Sequence, residues 1–128
     1  MSKRELTQAI IGALIEVHKE IGAGLLESAY KACARRELEL RGLKVQTEVP
    51  LPIRYKGLEL DCGYRMDMVV EDTVVLELKA VKTLEAIHEA QLLTYLRLSG
   101  YTIGLLVNFN VPLLKDGIKR MVLGLKDD

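Results

Sequence analysis

Residues Arg65–Lys82 read RMDMVVEDTVVLELKAVK, two apolar, β-branched runs joined by the polar segment Glu71-Asp72-Thr73. Runs of this kind form strands. Yet the first run holds Asp67 and the second holds Glu77 and Lys79. Aspartate is depleted in strands because its short side chain competes with the ladder for backbone hydrogen bonds. A carboxylate in a core is costly unless something positive satisfies it. Glu77 and Lys79, two apart, share a face. The turn decides whether Asp67 joins them. A two-residue turn at Glu71-Asp72 pairs Val70 with Thr73 and sets Asp67 opposite Leu76, on the wrong face. A three-residue turn, Glu71-Asp72-Thr73, pairs Val70 with Val74 and sets Asp67 opposite Glu77, with Cβ atoms about 4.5–5.5 Å apart. We expect the longer turn or an equivalent bulge, because only that register lets both carboxylates reach one ion.

Two carboxylates on one spot repel and raise one another's pKa unless a cation lies between them. Their oxygens, completed by water, make a hard site suited to Mg²⁺ or Mn²⁺. A lysine beside such an ion stabilises developing negative charge or orients a water. The combination suits metal-assisted phosphodiester hydrolysis. Taken singly the signals are weak: most Glu-x-Lys pairs lie on solvated strand faces, and a lone aspartate can end a strand.

Working outward, Thr83 is a candidate cap for a helix over 84–99, closed by Gly100. On it Leu84, His88, Gln91 and Tyr95 fall on one stripe; His88 reads as an edge residue meeting water. YTIGLLVNF (Tyr101–Phe109) is apolar enough for a strand buried on both faces. IKRMVL (Ile118–Leu123) suggests a last edge strand. Upstream, IRYKGLEL forms a hairpin turning at Lys56-Gly57, and LKVQTEV alternates Val45, Thr47 and Val49 beside Pro50 and Pro52, as an edge strand does. Ser2-Lys3-Arg4-Glu5 has the form of a capping box for a first helix carrying Leu6, Ile10, Leu14, Val17 and Ile21 on one face. Gly22-Ala23-Gly24 breaks it, and a second helix runs from about Leu25 to Arg41 with Leu26, Ala29, Tyr30 and Cys33 inward. His18 reads as exposed on the first helix. The order of helices and strands makes an α/β chain with a mixed sheet.

The chain has 128 residues, a length that suits one domain over 1–128. It carries 18 basic and 18 acidic side chains, so a strong global attraction to nucleic acid or an anionic membrane is not encoded. Any polyanion surface must be local; Lys31, Arg35, Lys44, Arg54 and Lys56 are the candidates. Cys33 and Cys62 are too few for a disulfide framework or a thiolate zinc site and read as small core residues in a reducing cytoplasm. No apolar run approaches spanning length, so we expect a cytoplasmic protein with no membrane partner.

GLLESAY (Gly24–Tyr30) matches Gly-x-x-Glu-x-x-Tyr, the pattern of the GxxExxY protein family, which is grouped with the PD-(D/E)XK nuclease superfamily. YRMDMVVEDTVVLELKAV resembles its central motif, and EAQLLTYLRLSGYTIGLLVNFN the Gln-x-x-x-Tyr helix and following strand of the RecB-like branch. The resemblance spans roughly residues 10–120 and implies a restriction-endonuclease-like mixed central sheet flanked by helices. It implies that Asp67 and Glu77 hold the metal, with the Leu78 carbonyl and Glu27 as further ligands. Lys79 matches the catalytic lysine, although Met66 replaces the proline of the superfamily's name. Gln91 and Tyr95 resemble the residues that position substrate and active-site groups, and Gly24 and Tyr30 fall in the segment that would meet substrate. Glu27 and Gln91 should then approach the carboxylates from the helices. Glu27 is also favoured at a helix start by the macrodipole, and Tyr30 also suits a core aromatic with its hydroxyl at the rim. The implied function is Mg²⁺- or Mn²⁺-dependent cleavage of DNA or RNA. The alternative is a non-catalytic nucleic-acid-binding or protein-interaction module on the same fold, which the neutral charge and the absence of Trp favour slightly. A homodimer and a larger assembly both stay open.

Overall fold

The computed structural model describes residues 1–124; residues 125–128 of the expected domain lie outside them. Helix α1 (Lys3–Ile21) opens on the predicted capping box: the Ser2 hydroxyl accepts the Glu5 N–H, and the Glu5 carboxylate accepts the Ser2 N–H. It buries Leu6, Ile10, Ala13, Leu14 and Val17 and ends at Gly22, whose φ of 73° few other residues adopt. Helix α2 (Glu27–Leu40) starts later than periodicity suggests. Its N-cap, Leu26, is 77% exposed, and the buried stripe is Tyr30, Ala34 and Leu38 rather than one that includes Leu26 and Cys33.

The strands are β1 (Val45–Pro50), β2 (Ile53–Tyr55), β3 (Leu58–Leu60), β4 (Arg65–Val70), β5 (Val74–Lys79), β6 (Ile103–Asn108) and β7 (Ile118–Val122). β2 and β3 form a separate hairpin turning at Lys56-Gly57, as expected. The main sheet runs β1-β4-β5-β6-β7. Only the β5–β6 pair is parallel, with helix α3 (Ala86–Ser99) as its crossover. The other pairs are antiparallel, which makes the sheet mixed. Every residue of β6 is buried, while β1 alternates as an edge strand does and β7 closes the other edge.

The sheet separates two apolar clusters. On one side α1 and α2 cover Met68, Val70, Val74, Leu76 and Leu78; on the other, Leu92, Tyr95 and Leu96 of α3 cover Val69, Val75 and Leu106. Each large apolar side chain so buried contributes roughly 1.5–3 kcal/mol. Tyr30 stacks on Phe109 at 4.4 Å between ring centroids, joining α2 to the end of β6. No helix among the described residues is long and apolar enough to cross a membrane.

Three expectations need correction. His18 is buried, and its Nε2 lies 2.9 Å from the Val111 carbonyl, because the segment after β6 folds back over α1. Cys62 is exposed, in the irregular segment between β3 and β4, and Cys33 is half-buried. Thr83 does not cap α3. Glu85 is the N-cap residue, and its backbone N–H donates to His88 Nδ1 at 2.9 Å.

Candidate active site

The β4–β5 register is that of the three-residue turn. Val70 pairs with Val74, Val69 with Val75 and Met68 with Leu76, which continues to Asp67 opposite Glu77. Glu71 and Asp72 take φ of 52° and 49°, and the Thr73 N–H closes the turn on the Val70 carbonyl. Past Met68 and Leu76 the backbone ladder gives way to side chains. The Asp67 N–H donates to Glu77 Oε2 at 2.8 Å, and the Leu78 N–H donates to Asp67 Oδ2 at 2.8 Å. Each carboxylate thus enters the gap between the strands and accepts an amide of the opposite strand. Both residues are buried, Asp67 at 8% exposed and Glu77 at 3%.

Asp67 does not follow strict alternation. Met68 and Val70 face α1 and α2, yet Met66 lies with Val69 on the α3 side, so β4 twists between Met66 and Met68. Its neighbour β1 is distorted at the same level: Thr47 pairs with Met68 and Val49 with Met66, while Glu48 between them takes a φ of 50°. This twist lets Asp67 Oδ1 reach Lys31 Nζ of α2 at 2.9 Å while Oδ2 stays with β5.

Burial, and then the charge of Asp67, push the Glu77 carboxyl up to about 8; the Asp67 N–H and the Lys79 and Lys31 charges offset only part of this. Lys79 Nζ lies 3.4 Å from Gln91 Oε1, a contact that joins the end of β5 to α3. Burial raises the Tyr95 phenol pKa, helped by the Glu77 charge, and its ring meets Tyr64 edge-on at 6.5 Å. Gln91 and Tyr95 also line a cavity of about 490 Å³ between the β2–β3 hairpin and α3.

A family model described as the PD-(D/E)XK nuclease superfamily matches residues 4–121. The chain belongs to that superfamily. No curated protein and no solved structure matches the chain. PD-(D/E)XK nucleases generally use divalent metal ions, so the donor set of this PD-(D/E)XK chain can be tested for fit. Among the described residues, no three His, Cys, Asp or Glu side chains group closely enough to enclose an ion by themselves. The fit rests instead on two buried, opposed carboxylates, one with a raised pKa, and on an ammonium already drawn to Asp67. Once ionised, two such carboxylates in a buried gap suit a hard cation that keeps several waters.

Other residues of this PD-(D/E)XK chain stand further off. Glu27 reaches the site only through Lys31, at 3.3 Å. The Tyr30 ring is fully buried; its hydroxyl donates to the Gly22 carbonyl and accepts the Leu25 N–H, so both polar functions are used within the chain. Gly24 is exposed in that same loop. Leu78 touches Asp67 through its N–H. Four of the candidate basic residues have partners within the chain: Lys31 turns onto Asp67, Arg35 pairs with Glu39, Arg54 with Glu59, and Lys56 lies over the Tyr55 ring.

Sequence reasoning missed Asn108. It is buried beside Lys79 across the β5–β6 pair, and its amide accepts the Val81 and Asn110 N–H groups and donates to the Val81 carbonyl. It fixes the chain just after Lys79. A polar residue ending an otherwise apolar run was the available signal.

Proposed function

We propose that the chain is a Mg²⁺- or Mn²⁺-dependent nuclease of the GxxExxY type, a single domain hydrolysing phosphodiester bonds of DNA or RNA in the cytoplasm. The observation that carries this is the opening of the β4–β5 ladder, where the buried carboxylates of Asp67 and Glu77 enter one gap two residues before Lys79. Asp67 and Glu77 would hold the ion, with the Leu78 carbonyl and Glu27 available to complete its shell. A divalent ion there supplies polarisation of a phosphoryl oxygen and activation of a water. The chain's own groups do the rest. Lys79 presents its ammonium where negative charge develops on the phosphate, and Gln91 holds that ammonium. Tyr95 and the apolar cavity beside it offer a surface for the nucleotide next to the scissile bond.

The test is Mn²⁺ titration by calorimetry on wild type and Asp67→Asn, paired with cleavage of single- and double-stranded DNA and RNA. Asparagine keeps an acceptor for the Leu78 N–H, so loss of ion uptake reports the charge and not a collapsed strand. Uptake by wild type alone, together with metal-dependent cleavage, supports the nuclease. Equal uptake by both proteins, with no cleavage, points to the fold kept as a binding module.

A further inference from the structure

Lys31 touches three carboxylates: Asp67 Oδ1 at 2.9 Å, Glu27 Oε1 at 3.3 Å and Glu48 Oε1 at 3.9 Å. Two come from outside its helix, one from each of two neighbouring strands. The side chain is 27% exposed, so solvent reaches it. Glu48 strengthens the case independently. Among the described residues, four non-glycine residues have positive φ; Lys56, Glu71 and Asp72 lie in hairpin turns, and Glu48 alone lies inside a strand. That conformation is unfavourable for a residue with a side chain, and it accompanies the twist that turns Asp67 toward α2.

We propose that Lys31 is the resident cation of the metal-free site: its ammonium neutralises Asp67 in place of the divalent ion and must leave Asp67 for that ion to bind. This rests on the metal-site reading above. An ammonium offers one charge and hydrogen bonds, whereas a divalent ion offers two charges and direct coordination, so the ion wins only above a threshold concentration set by this competition. Lys31 therefore sets the ion concentration at which the site fills.

Two measurements test it. First, calorimetric Mn²⁺ titration of Lys31→Met, which keeps the stem and removes the charge, should show affinity higher than wild type on the order of tenfold to a hundredfold. Second, acylation of Lys31 by an amine-reactive reagent, followed by mass spectrometry, should be slow in the metal-free protein. It should become fast with saturating Mg²⁺, and equally fast without metal in Asp67→Asn. Uptake by Lys31→Met where wild type takes up none would be the strongest support. Unchanged Lys31 reactivity in a protein that calorimetry shows to be loaded would overturn the proposal and leave the metal site standing. Unchanged or weaker affinity in Lys31→Met would do the same. Failure of both proteins to take up any ion would instead remove the metal-site reading, and this proposal with it.

Discussion

Glu77 links the chemistry of the site to pH. Its carboxyl is pushed up to about 8 from an ordinary 4.5, by burial first and then by Asp67. The folded state therefore binds more protons than the unfolded chain between those values. The stability it contributes is fully present below about 4.5 and is lost as pH rises through about 8. Metal-free Glu77→Gln should lack this decline. It should be more stable than wild type above pH 8 by a few kcal/mol, at roughly 1.4 kcal/mol per pKa unit; urea unfolding across that range reads it. A wild-type profile as flat as the variant's would mean the charge is already neutralised. Ion binding needs the ionised carboxylate, so Mn²⁺ affinity should climb through the same window. Lys79 differs in kind. Lys79→Ala should keep or slightly raise ion affinity while cleavage falls by about 10²–10³-fold, the size of a lost transition-state donor. Parallel loss of ion binding and turnover would reduce Lys79 to a prop for the carboxylates.

At the level of elements, two local structures hold the site, and only one is where sequence rules put it. The β4–β5 turn follows from register: the three-residue connection satisfies the Val70 carbonyl and keeps both apolar faces inward. The start of α3 does not follow the rule that Ser, Thr, Asp and Asn cap helices. Thr83 is a better cap by type, but the chain leaves β5 through the loop that Asn108 pins at Val81, and the first helical turn forms beyond it, after Glu85. His88 then accepts the Glu85 N–H. His88→Ala should cost about 0.5–1 kcal/mol and Thr83→Ala almost nothing, by denaturant midpoint. Neither should alter ion affinity, and the reverse ranking would restore Thr83 as the cap.

Across the whole molecule, Tyr30 ties three parts together: the loop after α1 through its hydroxyl, its own helix, and the end of β6 through Phe109. Tyr30→Phe should lower stability by about 1–2 kcal/mol, since it leaves the Gly22 carbonyl and Leu25 N–H without that partner. The KM for a nucleic-acid substrate should not change; a raised KM with unchanged stability would return Tyr30 to substrate binding. The sequence by itself determined the strands around Asp67 and Glu77, the hairpin at Lys56-Gly57 and the helix that carries Gln91. Those features depend on side-chain period and on turn residues, which are local. What only the tertiary structure decided is the surroundings of the carboxylates: Lys31 on Asp67, the twist at Glu48, Asn108 behind Lys79, and His18 buried under Val111. Each depends on contacts between residues far apart in the chain. Period assigns a residue to a face of its own element, but which distant side chain fills the space opposite is set when the helices close over the sheet.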